Sequence, residues 1–352
     1  MKNKKSFNHI LSAQVDVEPI LAQNEAFDFL LDDFNLATDD EKSNYIEVRK
    51  SMSYWQDAWR RLKKNQVAMV ALYIIIAIIL FAFVGPVFSQ YDYDQQIRGA
   101  ENIAPCWEHP FGTDNHGRDI LVRTMFGTKV SMIIGVVASL LVLVIGATYG
   151  AISGFIGGRV DDVMMRFAEL IYSVPDILVV LLLTTVMKVP LQNAFNTSDF
   201  VLIKSLGVLG PSLVAIFIAF GLLYWVPLAR IIRGQVLMLK QQEFVTAAKA
   251  LGAPSSMIIM KHLLPNCIGQ IIVTTCLEIP AAIFLESFLS FLGLGVSAPM
   301  TSLGSMAAAA LGGMYSYTYR LIIPSIILSV MILSLNLFGD GLRDALDPRL
   351  KK

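Results

Sequence analysis

Six long apolar blocks constrain this chain more than any other feature of its sequence. A helix needs about 20 consecutive apolar residues to cross a bilayer, and runs of that length recur from end to end. The first reads "VAMVALYIIIAIILFAFVGPVF", Val67 to Phe88, and the second "VSMIIGVVASLLVLVIGATYGAISGF", Val130 to Phe155. A third is expected from near Val163 to Met187, kinked at Pro175. The fourth runs from Pro211 to Ile232, the fifth from Asn266 to Leu294 with Pro280 inside, and the sixth from Leu321 to Phe338. Only 16% of residues are charged, against about 25% in soluble domains, and 55% are hydrophobic. These features predict an all-α integral membrane protein with six transmembrane helices.

Charge placement predicts orientation. "RRLKK", Arg60 to Lys64, abuts the first span. The loops after spans two and four carry Arg159, Arg166, Arg233, Lys240, Lys249 and Lys261, and the tail carries Arg343, Arg349, Lys351 and Lys352. The positive-inside rule then puts both termini in the cytoplasm and the loop from Ser89 to Thr128 outside. Arg166 and Glu169, three residues apart, are expected to pair at the start of span three. "MKNKK" is followed by no apolar stretch, so no secretory signal peptide is expected. Net formal charge is zero, which gives no reason to expect nucleic acid. Cys106, Cys267 and Cys276 have no metal-ligand spacing.

Residues 1–53 form an acidic N-terminal extension in this reading, partly disordered. Within it Ile20, Phe27, Leu30, Leu31 and Phe34 can line one amphipathic helix, either a weak local helix or a docking segment. The first span and external loop follow (54–128), then a core of five spans (129–345) and a short tail (346–352).

One polar segment interrupts the apolar blocks: "EFVTAAKALGAPSSMIIMKHLLPN", Glu243 to Asn266. Phe244, Ala247, Ala248 and Leu251 recur at i, i+3, i+4 and i+7, one apolar face of a helix. Gly252 stands where a helix C-terminus turns left-handed. Pro254 and the serines can begin a second helix with Ser255 as N-cap. Pro265 disfavours helix at Leu264. A helix–turn–helix results. Its apolar face must be covered by a partner or by the protein's own spans.

The segment resembles the EAA loop of bacterial ABC importer permeases, with Ala247-Ala248, Gly252 and Leu264-Pro265 at that motif's spacing. Thr246 stands where Glu is commonest, His262 where Ile is, and Glu243 lies one turn before Thr246. "HPFGTDNHGRDILVRTMFGTKVS", "WQDAWRRLKKNQVAMVAL", "FLESFLSFLGLGV" and "LNLFGDGLRDALDPRL" resemble the C-type permease of oligopeptide and dipeptide importers, over roughly residues 54–350. The resemblance implies a type I importer permease fold. Glu243, Phe244, Thr246, Ala247, Ala248, Leu251, Gly252, Leu264 and Pro265 would form the loop that couples it to ATP hydrolysis. It also implies partners: a second permease subunit, two cytoplasmic ATPases that bind the ATP and Mg, an extracellular substrate-binding lipoprotein, a peptide cargo and the membrane lipid. Nickel or another small solute is the alternative cargo. The chain contains no Gly-x-x-x-x-Gly-Lys-Ser/Thr phosphate loop, the motif that cradles nucleotide phosphates, and no catalytic constellation, so it is expected to be a transporter subunit and not an enzyme.

An ion-coupled carrier, the reading from a different class, would need ionisable residues in its spans. Glu278 and Glu286 in span five are the candidates for a pathway, or else hydrogen-bond neighbouring helices. In "GTDNHGRD", His109, His116, Asp114 and Asp119 could hold a metal; a turn at Asp114-Asn115, closed by Gly117 and followed by Asp119 as helix cap, is simpler. Asp340, Arg343 and Asp347 can pair along a C-terminal helix. Gly135, Gly146, Gly150 and Gly154 give span two a small-residue face for close packing, against this chain or another.

Overall fold

A computed structural model describes residues 53–197, 207, 210–296 and 298–346. The expected extension at 1–53 lies outside them except for Ser53, and so does Asp347. The described chain is helical and carries six helices long and apolar enough to cross a membrane. A short amphipathic helix, α1 (Tyr54–Lys64), leads to Asn65, whose extended backbone (ψ 99°) separates it from the first span, α2 (Gln66–Phe83). The Asn65 side chain accepts from the Ala68 N–H and caps α2. The first span stops short of Phe88 because Pro86 opens a tight turn at Gly85–Phe88. Span two, α3 (Ile120–Ile156), is 37 residues long and runs through position 128/129 without interruption.

The third span departs from expectation. Pro175 does not kink a continuous helix; it separates two. α4 (Gly158–Tyr172) is a polar, amphipathic helix, and the crossing helix is α5 (Asp176–Thr197). Proline offers no N–H to the ladder and disfavours helical backbone at Val174, while Asp176 opens the new helix. Span three is therefore 176–197, beyond the expected Met187. Arg166 and Glu169 fall on α4 and form no ion pair among the described residues.

Span four is a broken rod of α6 (Pro211–Leu223) and α7 (Val226–Leu239). It ends about two turns past Ile232. After the polar segment comes span five, α9 (Ile268–Phe291), which keeps Pro280 within a continuous helix. A short apolar helix, α10 (Leu303–Ala310), precedes span six, α11 (Tyr319–Leu346). The helix between α7 and α9, α8 (Glu243–Ala250), is described below.

Of the four glycines named on span two, Gly146, Gly150 and Gly154 face this chain's own span four, whereas Gly135 faces Ile279 and Ile283 of span five. A Cβ on Gly146 or Gly154 would sit 2.9 Å from the carbonyls of Trp225 or Arg233, and one on Gly150 would strike the Ala229 carbonyl. Bare backbone at one-turn intervals lets α3 and α7 meet closely, which small residues permit where solvent cannot drive association. The main core fills the space among α3, α6, α7 and α9 with Val142, Ile216, Leu228, Ile232 and Leu289.

The two ends of the bundle differ. At one, Tyr54 of α1 donates to the Leu346 carbonyl at the end of α11, at 3.2 Å. At the other, residues 89–119 fold into a pinned platform. The turn expected at Asp114 forms: its carboxylate accepts from the His116 and Arg118 N–H groups at 2.8 and 3.0 Å, and Gly117 takes φ +69°. Asp119 caps α3 through the Val122 N–H at 3.0 Å. Burial pushes the Asp114 carboxyl up, but those N–H groups and the Arg118 and Arg123 charges outweigh it, so its pKa lies below the ordinary value. The histidines do not converge: His109 is buried against Asp119 at 2.7 Å, whereas His116 is turned to Asn115.

Candidate functional site

The polar segment between spans four and five is built from the backbone outward. α8 starts after extended Gln242 with Glu243 in its first turn, a favourable place for a carboxylate near the helix dipole. It closes with a Schellman motif. The Ala253 N–H donates to the Ala248 carbonyl at 3.0 Å and the Gly252 N–H to that of Lys249 at 2.9 Å, the paired bonds that satisfy the last carbonyls of a helix. Gly252 adopts φ +78° with nothing within 4 Å of where a Cβ would lie. Its requirement for glycine is therefore conformational and not steric.

The second helix departs from expectation in two ways. Pro254, not Ser255, occupies the N-cap, and Ser255 is already helical. Leu264 is also helical, with φ −59° and ψ −41°. The backbone widens into a π-turn at Ile258–Leu263, where the Leu264 N–H reaches the Ile259 carbonyl five residues back. Wider turns tolerate an interrupted ladder. Pro265 is thereby taken into the helical path that continues as α9.

α8 has two apolar edges. Val245 is wholly buried, and Ala248 packs with it in the main core. Phe244 and Leu251 are 41% and 87% exposed, and Ala247 and Thr246 are exposed between them. The face expected from periodicity thus splits: Ala248 turns inward, and Phe244, Ala247 and Leu251 remain uncovered. Met257 and Met260 extend the open apolar surface onto the second helix. Glu243 is exposed, Leu264 is half-buried and Pro265 is exposed.

The base of the segment is tied to span two. The Lys240 ammonium donates to the Gly154 and Phe155 carbonyls at 3.2 and 2.9 Å, capping the end of α3. Lys249 lies over the Phe155 ring at 5.2 Å. Beside them Asp161 of α4 takes both Arg233 nitrogens at 2.5 Å and the Ser153 hydroxyl. The Arg233 guanidinium holds the Asp161 carboxyl below its ordinary range. None of these pairs was marked by the sequence, where Asp161 and Arg233 are 72 residues apart. A cleft of about 910 Å³ opens alongside, lined by Tyr54, Arg230, Gln235, Pro265, Gln270 and Arg343 among others.

The two span-five carboxylates occupy unlike settings. Glu286 is wholly buried. It accepts from the Ser131 hydroxyl of span two at 2.9 Å and from Ser290 and Ser287 at 2.7 and 3.3 Å. Ser290 in turn accepts from the Val296 N–H. Glu278 is half-buried, and elsewhere the Tyr224 hydroxyl of span four donates to Asp176 of span three at 2.9 Å. Glu286 is therefore enclosed by helix packing, whereas Glu278 keeps part of its surface open.

Comparison with known proteins decides the family. Residues 146–352 match the family described as "Binding-protein-dependent transport system inner membrane component". The chain belongs to that family. Residues 53–105 of this permease also match the N-terminal transmembrane domain of oligopeptide transport permease C. The permease is 45% identical over 304 residues to the oligopeptide transport system permease protein OppC of Bacillus subtilis, covering 86% of this chain and 92% of that one. It is 44% identical over 305 residues to the dipeptide transport system permease protein DppC of the same organism, covering 86% and 88%. It is 37% identical over 356 residues to DppC of Lactococcus lactis, covering 90% and 97%. This permease is a multi-pass membrane protein.

Proposed function

We propose that this permease is one of two transmembrane subunits of an ATP-driven importer that carries oligopeptides or dipeptides across the cytoplasmic membrane. Its termini and the Glu243–Pro265 loop face the cytoplasm. There the loop docks on separate ATPase subunits, which hold the ATP and Mg and of which the complex has two. A second permease completes the pathway, and an extracellular binding protein delivers the cargo. One observation carries this reading: α8 is anchored by Val245 and Ala248 yet presents Phe244, Ala247 and Leu251 to solvent. Burying a side chain such as Leu251 in a partner's groove contributes about 1.5–3 kcal/mol, and Phe244 and Ala247 add to it. The names of the relatives support peptide as the cargo.

The test is affinity purification of the tagged chain from membranes in mild detergent, with identification of co-purifying subunits, ATPase assay and peptide uptake in cells. The wild type should bring down a second permease and ATPases carrying a phosphate loop. Leu251→Asp should release the ATPases and abolish uptake while leaving the permease pair together. Recovery of the chain alone, with transport independent of ATP, would refute the reading. Uptake of nickel and not peptide would refute the cargo but keep the class.

A further inference from the structure

The helix α1 has a surface that transport does not explain. Its packed face is narrow: Ala58 and Leu62 are buried, the former against Val273 and Leu346, the latter with Ala68 and Ala345. Next to that face, Trp55 and Trp59 stand one turn apart and are 52% and 47% exposed. Lys63 follows one turn later, its ammonium 5.4 Å over the Trp59 ring. Arg60 and Lys64 are exposed on the side opposite the packed face. Arg61 alone among these cations has a carboxylate partner within the described residues, Asp57 at 3.0 Å.

Position along the chain fixes what this surface meets. Lys64 is three residues from Val67, which is 56% exposed on the first apolar span. Counting about 1.5 Å per helical residue, and more at extended Asn65, Lys63 and Lys64 lie within about 8 Å of Val67 along the chain and Arg60 one turn farther. Indole rings settle at the hydrocarbon boundary, with an apolar body toward the acyl chains and an N–H toward the headgroups. A helix with one aromatic flank and one basic face lies in the interfacial plane.

We propose that α1 is a lipid-binding element that selects anionic headgroups, with Trp55 and Trp59 seated at the acyl boundary and Arg60, Lys63 and Lys64 reading the phosphate charge. The inference does not depend on the cargo or on the ATPases. Each cation near an anionic surface contributes about fivefold in affinity, so losing three is expected to lower the preference by at least tenfold.

The test uses the full-length chain, with its co-purifying subunits, in nanodiscs of mixed phosphatidylcholine and phosphatidylglycerol. Retained lipid is measured by mass spectrometry, and tryptophan fluorescence is recorded with brominated acyl chains. Phosphatidylglycerol should be enriched around the wild type and displaced by about 1 M salt, where the screening length falls to about 3 Å. Arg60→Gln/Lys63→Gln/Lys64→Gln, which spares the Asp57–Arg61 pair, should lower that enrichment by at least about tenfold. The quenching lost in Trp55→Phe/Trp59→Phe, measured against the wild-type complex, reports α1, since Trp225 is buried and Trp107 lies exposed in the platform at the other end of the bundle. Equal enrichment in the triple variant, or enrichment indifferent to salt, overturns the headgroup selectivity. Unquenched Trp55 and Trp59, or efficient photocrosslinking from position 59 to a protein subunit, overturns the lipid contact itself.

Discussion

At the scale of single residues, Gly252 and Asp161 bear the sharpest tests. Gly252 has space for a side chain but a backbone that L-residues avoid. Gly252→Val should therefore strain the turn by about 1–2 kcal/mol and reduce uptake, measured alongside ATP turnover. Gly252→Asn, which tolerates the left-handed region, should retain most of it. Retained uptake in the valine variant would show that the turn's geometry does not matter. The carboxyl of Asp161 is lowered by its bond to Arg233. A depressed folded-state value stabilises above the ordinary carboxyl range and is lost as pH falls through the folded value. Melting temperatures of the purified protein should therefore decline below about pH 4, and Asp161→Asn should lower stability at neutral pH while flattening that acid limb. Gly252 was legible in the sequence because a helix end needs a local residue at a fixed place. The Asp161–Arg233 pair was not, because nothing local distinguishes one cytoplasmic-type charge from another until two helices bring them together.

At the scale of elements, close approach explains more than hydrophobicity does. The crossing helices are apolar on every side, so their periodicity cannot say which face meets which neighbour. The four glycines of span two marked close packing, and the structure supplies the partners: span four for Gly146, Gly150 and Gly154, and span five for Gly135. Gly150→Ala should cost about 1–3 kcal/mol by overpacking, seen as a lower melting temperature. Gly234→Ala, where a Cβ meets nothing within 4 Å, should be neutral or slightly stabilising. A similar loss in both would remove the glycine contact as the cause. Six spans were visible from apolar length, but the third was misplaced by about half its length. The apolar stretch after Val163 hid a polar amphipathic helix, and the decisive signal was Pro175 followed by Asp176. Glu286 belongs to this scale too, since it joins spans two and five through Ser131. Glu286→Leu should leave those serines without their acceptor and lower stability by about 1–3 kcal/mol, whereas Glu286→Gln should lose much less. Equal melting temperatures for the two variants would show that the hydrogen bonds contribute nothing.

At the scale of the whole molecule, the bundle separates into a pinned end and an end with an open apolar edge. The platform at residues 89–119 locks its own turns and reaches span six through Tyr319, whose hydroxyl donates to the Ile103 carbonyl at 2.9 Å. The opposite end gathers α1, α7, the start of α9 and the close of span six around an open cleft. That division was only half visible beforehand: basic residues marked the second end, but long-range bonds such as Tyr54 to Leu346 leave no trace in sequence. The two arms of the α8 segment also differ in how they join the bundle. On one side Lys240 fastens the chain to the end of span two. On the other, the π-turn and Pro265 leave a thinned hydrogen-bond ladder just before span five. Backbone amides should record this as a gradient of deuterium uptake, slow through Ile232 and Val236 and fast from Leu263 to Cys267, with the quicker side marking where this end of the protein opens first.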